Sequence, residues 1–358
     1  MWIKKLKIKN FRNYSEEEIS LNKNINIFFG ENAQGKTNII EAIFLCAMGK
    51  SFRAKKDVEM INFNEQNSLI EAEFEKSDRE GKIKIELGSR KNIYLNGIKK
   101  KKLSELLGNI NLVIFTPDDI NILKGAPDNR RKFLDIMISQ LRPNYLEVLG
   151  RYKNTLDQRN NYLKQIQEFG KDASLLDIWD EKLAEYAVII YKYRIEFIEK
   201  LEKKLEIIHN GITKNKENIK LEYNSMCKDK VEFLNALKER RKLDIIKGYT
   251  TRGIHRDDFI IYINEKDVSI YGSQGQNRTA MLSLKLSELQ VVYDEIGEEP
   301  ILLLDDFMSE LDSERRKNFI ENIGNTQVII TCTEKFALEN LNSFYYNVVG
   351  GKTFPIKE

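Results

Sequence analysis

Hydrophobic residues recur along this chain in two rhythms, one at each end and another in the middle. Near the start, Leu6 and Ile8 alternate with lysines, the period-two pattern of a half-exposed strand. "NINIFF" (24–29) is a short β-rich apolar run ending at Gly30. "TNIIEAIFLCAMG" then reads as a helix, with Ile39, Ile43 and Cys46 on one side and Gly49 as its stop. "KIKIELGSRKNIYLNGIKKKKL" reads as strand, turn and strand, with "NG" at 96–97 as the hairpin signal. "NLVIFTPDD" is a further strand, broken at Pro117. From about 127 to 245 glycine is scarce and Leu, Ile, Lys and Glu dominate, which predicts a helical region. Strand signals return from about 249 with "DFIIYIN", "PILLLDD", "TQVIITCT" and "FYYNVVGG". The apolar runs at 301–304 and 328–330 are continuous, as in strands buried on both faces of a parallel sheet. Between them, Leu282, Leu286, Leu289, Tyr293 and Ile296 recur at steps of four and three, the stripe of an amphipathic helix.

The expected architecture is therefore α/β. Residues 1–126 and 246–358 are expected to combine into one nucleotide-binding lobe, with 127–245 as an inserted, mostly helical second lobe. No internal repeat or low-complexity tract interrupts this plan.

Composition narrows the classes. The 358 residues are 41% hydrophobic and 32% charged, those of a soluble globular protein. No apolar run approaches the roughly 18–20 residues that span a bilayer. The first ten residues alternate apolar and basic positions, unlike the continuous apolar core of a signal peptide, so a cytoplasmic protein is expected. The three cysteines (Cys46, Cys227, Cys332) are scattered, with no CxxC pair, so neither a zinc site nor a disulfide framework is expected. A net charge of +3 does not by itself argue for nucleic acid. Three basic clusters do so modestly: Lys50, Arg53, Lys55 and Lys56; Lys99 to Lys102; and "NRRK" at 129–132. Taken singly, each is better read as a solvated face.

Two motifs carry chemistry. "GENAQGKT" (30–37) fits G-x-x-x-x-G-K-[ST] at every fixed position, with an apolar strand before it and a helix after. Gly30 permits the tight turn. Backbone amides from Asn32 through Thr37 can surround a phosphate at the positive end of the helix. Lys36 would reach the β- and γ-phosphates, and Thr37 would place its hydroxyl on Mg²⁺. "PILLLDDFMSELD" (300–312) supplies the second half: a buried strand delivers Asp305 to the magnesium shell, and Asp306 can polarise the attacking water. Aspartate at 306 is one methylene shorter than glutamate, so slow hydrolysis is expected.

"YGSQGQNRTA" (271–280) places Ser273 and Gly275 at the start of the later helix. Alone this is an ordinary serine cap. Because the helix leads into the strand bearing Asp305, its N-terminus is expected on the far side of the lobe from its own phosphate loop. Any phosphate it caps would then belong to another molecule.

"GENAQGKTN", "SQGQ", "LLLDD" and "SELD" occur in the order of the SMC-like branch of the ATP-binding-cassette superfamily. Together with "IKNFRNY", "KSFR", "FTPDD", "GAPDNRRKFLD" and "GIHRDD", they make residues 3–333 similar to the RecF family of bacterial DNA replication and repair proteins. The resemblance implies an SMC/ABC-type P-loop ATPase head built from both chain ends. It implies a weak, DNA-stimulated ATPase that binds ATP with Mg²⁺, dimerises head to tail around two nucleotides and binds DNA. Its implied partners are the recombination mediators RecR and RecO, with which it loads recombinase at single-strand gaps. Residues 30–38 (Gly30, Glu31, Asn32, Ala33, Gln34, Gly35, Lys36, Thr37, Asn38) would line the nucleotide, with Arg12 nearby. Lys36 and Asp306 would be catalytic, and Thr37 and Asp305 would hold the metal. Ser273, Gly275 and Gln276 would contact the γ-phosphate in the partner subunit, with "SELD" (309–312) at the dimer seam.

The chain departs from the wider superfamily after its next strand. "VIITCT" offers Thr331, Cys332 and Thr333 where a switch histidine is usual. That absence and the inserted helical region argue against a transporter ATPase subunit. A nuclease-coupled ATPase would need a carboxylate metal domain for which no room is seen after residue 333. His255 in "GIHRDD" is open to a structural or a functional role.

Overall fold

The structure is a computed structural model that describes residues 1–77, 79–307, 319, 323–335 and 342–356. The chain divides into two compact units, residues 1–119 with 288–358, and residues 120–287.

The first unit opens with β1 (Trp2–Phe11), β2 (Tyr14–Ser20) and β3 (Ile25–Phe29), then α1 (Lys36–Met48). β4 (Ser68–Lys76), β5 (Arg79–Leu87), β6 (Asn92–Leu95), β7 (Ile98–Lys100) and β8 (Leu112–Phe115) follow. One sheet is antiparallel, in the order β2-β1-β4-β5-β6-β7. Its β6–β7 hairpin turns at Asn96 and Gly97, both at positive φ, as the "NG" pair predicts.

The second unit begins with α2 (Ile120–Lys124), α3 (Pro127–Leu141), α4 (Pro143–Phe169) and α5 (Leu176–Thr213). β9 (Ile219–Asn224), α6 (Lys230–Lys247), β10 (Asp258–Ile263), β11 (Lys266–Asp267) and α7 (Val268–Tyr271) complete most of it. α8 (Gln274–Ile296) carries the chain across the boundary between units. β12 (Ile301–Asp305), β13 (Val328–Cys332), β14 (Ser343–Val349) and β15 (Lys352–Ile356) return to the first unit. They join β3 and β8 in a second sheet, β15-β14-β3-β13-β12-β8, parallel except for the edge strand β15.

In this sheet β12, β13 and β8 are buried at every position, which is why their sequences run apolar without alternation. α1 lies between the two sheets of its unit and is buried from Ile39 through Met48. The expected single apolar face is thus a helix enclosed on all sides. Gly49 ends it in the left-handed region at φ 62°, its N–H bonded to Leu45 O.

The boundaries differ from those expected at 126/127 and 245/246. Residues 246–287 belong to the second unit because β10 pairs with β9, from Asp258↔Asn224 to Ile263↔Ile219. β9 also interrupts the region expected to be mostly helical. Its "IKLEYN" alternates buried Ile219 and Leu221 with exposed Lys220 and Glu222. The stripe expected on α8 is also absent. Its residues are buried without a break from Thr279 to Leu289, whereas Tyr293, a member of the expected stripe, is 40% exposed.

Candidate nucleotide site

The phosphate loop forms because β3 ends at the sheet's rim and α1 begins after six intervening residues. Gly30 (φ 149°) and Gly35 (φ 114°) take backbone angles that strain any residue with a Cβ. Space forbids one as well. A Cβ on Gly30 would lie 2.5 Å from Val348 O, and one on Gly35 2.7 Å from Asn13 Oδ1. Gln34 fastens the loop from outside: its Oε1 accepts from Gly350 N at 2.6 Å, and its carbonyl accepts from Asn13 Nδ2 at 2.9 Å. Glu31, Asn32 and Ala33 are exposed at the loop's tip.

Lys36 is 7% exposed, and its ammonium donates to the carbonyls of Gly30 and Glu31, each at 2.7 Å. Thr37 Oγ1 donates to Asp305 Oδ1 at 2.8 Å, joining loop and acid strand across 268 residues of sequence. Thr331 Oγ1 donates to the same oxygen at 2.8 Å and accepts from Asp306 N at 3.1 Å. Burial pushes the Asp305 carboxyl up from its usual range, and the hydroxyls of Thr331 and Thr37 oppose that shift. Asp306 takes the left-handed conformation at φ 52°, tolerated by aspartate.

These residues enclose a cavity of about 240 Å³ lined by Asn32, Ala33, Gly35, Lys36, Thr37, Asn38, Arg53, Asp306 and Thr331. A hydroxyl and a carboxylate that meet at the phosphate loop suit Mg²⁺, a hard cation usually held by one or two protein oxygens plus substrate phosphates. No group of three or more His, Cys, Asp or Glu side chains able to hold a metal occurs among the described residues.

Arg53, a member of the basic cluster at 50–56, lines this cavity. Arg12 is not among the lining residues. It pairs with Glu41, whose carboxylate Arg53 shares. Asn38 accepts from Arg53 Nη2 at 2.6 Å and donates to Asn13 Oδ1 at 2.7 Å. Glu41 and Asn13 are not picked out from the sequence as site residues, and Thr331 is marked there only as one of three residues at the usual place of a switch histidine. Only "KSFR" and "NFRNY" carried a trace of the arrangement.

Ser273, Gly275 and Gln276 lie in the second unit. Ser273 Oγ accepts from Gln276 N at 3.2 Å, and Gln276 Oε1 accepts from Ser273 N at 3.0 Å, a reciprocal capping box on α8. Gln276 Nε2 donates to Glu217 Oε1 at 2.9 Å, and the other Glu217 oxygen meets His209 Nε2 at 3.2 Å. Ser273 and Gly275 are exposed. His255 has a structural setting: Nδ1 meets the Tyr152 hydroxyl at 2.8 Å and Nε2 meets Thr250 O at 3.1 Å. The "SELD" motif lies outside the described residues. Among the described residues, no helix is long and apolar enough to cross a membrane.

Comparison with known proteins agrees with this geometry. The family described as "RecF/RecN/SMC N terminal domain" matches residues 2–351. The DNA replication and repair protein RecF of Acetivibrio thermocellus is 42% identical over 368 residues, covering 99% of this chain and all of that one. RecF of Clostridium kluyveri is 44% identical, with 93% of each chain covered. A solved structure of the recombination mediator protein RecF-ATP in the RecFOR pathway superposes with a TM-score of 0.93 at 38% identity, covering 99% of this chain and 98% of that one. An Smc head domain from Pyrococcus furiosus shares the fold, with a TM-score of 0.56 at 16% identity, covering 99% of this chain and 96% of that one. From its matching sequence over nearly its whole length, and from the phosphate loop and acid strand joined at Thr37 and Asp305, this chain belongs to the RecF family of DNA replication and repair proteins.

Proposed function

We propose that this chain is an ATP-dependent DNA-binding protein of recombinational repair and replication-fork maintenance. Two copies close head to tail over two ATP molecules on DNA, and slow hydrolysis releases them. The observation that carries the reading is the bond between Thr37 and Asp305, because it assembles both halves of a Mg-nucleotide site. The RecF-ATP structure at 38% identity supports ATP as the nucleotide.

Bound magnesium and the triphosphate supply the electrophile and neutralise its developing charge. The chain's own residues do the rest. Lys36 exchanges the carbonyls of Gly30 and Glu31 for phosphate oxygens. Thr37 and Asp305 hold the metal. Asp306, its backbone fixed by Thr331, orients the attacking water. Ser273 uses its lone pair in the capping box, so its hydroxyl proton remains to donate to a γ-phosphate held by the partner subunit, with Gly275 and Gln276 beside it.

For DNA, the supporting residues are the exposed Lys50, Lys55, Lys56, Lys99, Lys101 and Lys102. RecR and RecO are the proposed protein partners, since solved relatives are described as mediators in the RecFOR pathway. Light scattering tests the central step. The chain is monomeric alone and with ADP, dimeric with a non-hydrolysable ATP analogue, and Ser273→Arg binds the analogue yet stays monomeric. A wild-type chain that stays monomeric at saturating analogue refutes the reading.

A further inference from the structure

Glu41 sits one turn beyond Thr37 on α1, and its side chain is 0% exposed. Four donors fill its two oxygens. Arg12 Nη2 (2.8 Å) and Ser51 Oγ (2.5 Å) bond Oε1, while Arg12 Nε (2.9 Å) and Arg53 Nη2 (2.6 Å) bond Oε2. Ser51 Oγ in turn accepts from the backbone N–H groups of Arg53 (2.9 Å) and Ala54 (2.8 Å). One carboxylate therefore fixes both the turn that carries Arg53 and the guanidinium itself.

The charges do not cancel. Two arginines share a single anion, leaving one positive charge over. Arg12 is bidentate on Glu41 and also donates to Glu59 O at 2.5 Å. Arg53 makes one bond to Glu41 and one to Asn38, is 37% exposed, and lines the nucleotide cavity with Thr37, Asp306 and Thr331. The surplus charge thus faces the end of the cavity where the acid pair and the metal ligands meet. The field of Arg53 reaches Asp305 there and favours its ionised form. A buried ion pair is weak evidence for stability, since an apolar replacement of the same shape is often no worse. Its clear consequence at this position is to fix where Arg53 stands.

We infer that Glu41 is a positioning residue that holds Arg53 at the terminal-phosphate end of the cavity, so that the site distinguishes a nucleoside triphosphate from a diphosphate. The inference rests on the ATP-binding reading above. Glu41 touches no nucleotide; it acts through Arg53.

The test is a double-mutant cycle read by calorimetric titration with Mg-ATP and Mg-ADP on wild type, Glu41→Gln, Arg53→Ala and the double variant. Loss of a charge-assisted hydrogen bond to the last phosphate lowers the ATP-over-ADP preference about tenfold in each single variant. The double variant loses no more than Arg53→Ala alone. Should Glu41→Gln not fold, Glu41→Asp keeps the charge but withdraws it by one methylene, and it loses the same preference. A Glu41 that serves only stability weakens ATP and ADP alike, and its effect persists in the Arg53→Ala background; that result overturns the inference. So does full retention of the preference in Glu41→Asp. Wild type that binds no ATP refutes the nucleotide reading itself, whereas wild-type binding with an unaltered preference in Glu41→Gln refutes this inference alone.

Discussion

Replacing Thr331 with valine probes one of the three residues, Thr331 to Thr333, that stand where a switch histidine is usual in the wider superfamily. Thr331 is 1% exposed, and its hydroxyl both donates to Asp305 Oδ1 and accepts from Asp306 N. Valine keeps the shape and removes both bonds. Asp306 N keeps its second acceptor, the Thr331 carbonyl at 3.2 Å, so the turn survives. Asp305 loses one of its two hydroxyl donors in a buried setting. A hydrogen bond to a charged group is worth about 1.5–3 kcal/mol, so the metal-binding form of the site weakens about ten- to hundredfold. Hydrolysis measured against Mg²⁺ concentration should show that rise in half-saturation. The carboxyl is already pushed up by burial, and losing a stabilising donor raises it further. The acid limb of the pH–rate profile therefore moves to higher pH. Thr331→Ser keeps the hydroxyl and stays close to wild type in both measurements. An unchanged Mg²⁺ dependence and an unchanged acid limb in Thr331→Val would refute the reasoning.

Three further outcomes follow from the geometry. Gly35→Ala forces a Cβ to 2.7 Å from Asn13 Oδ1 at φ 114°, so it costs about 1–3 kcal/mol and abolishes the thermal shift induced by ATP. Glu217→Ala removes the acceptor for Gln276 Nε2; ATP affinity of the monomer is unchanged, while analogue-driven dimerisation weakens about fivefold by sedimentation. Burial pushes the His255 imidazole down to about 4, below its unfolded value of about 6.5. The native state therefore resists a proton that the unfolded state accepts. The resulting stability is full above about pH 6.5 and is lost as pH falls towards 4, so the melting temperature of wild type declines more steeply over that window than that of His255→Gln.

Where local chemistry dictates structure, the sequence was informative. The strand–loop–helix around Lys36, the "NG" hairpin, the Gly49 stop and the fully buried β12 each follow from a few adjacent residues. β9 was missed because its six residues sit among strong helix formers, and its strand state depends on pairing with β10 across more than thirty residues. The stripe on α8 failed for a related reason. Ser283, Lys285 and Glu288 look like a solvated face in sequence, yet tertiary packing buries all three. In the site, Lys36, Thr37 and Asp305 come from motifs whose strand–loop–helix and strand-end context brings them together. Arg53 looked like a surface cation because nothing local reveals that Glu41, twelve residues earlier, bonds it at the edge of the cavity.

The central claim is that each nucleotide site is shared between two copies of the chain. Lys36→Met disables the phosphate loop of its own copy, and Ser273→Arg disables the face offered to a partner. Mixed in equal amounts, two inactive proteins should regain hydrolysis, up to about half of the wild-type rate, because neither variant closes on itself and each mixed dimer holds one intact composite site of two. A mixture no more active than the sum of its two components would contradict the account.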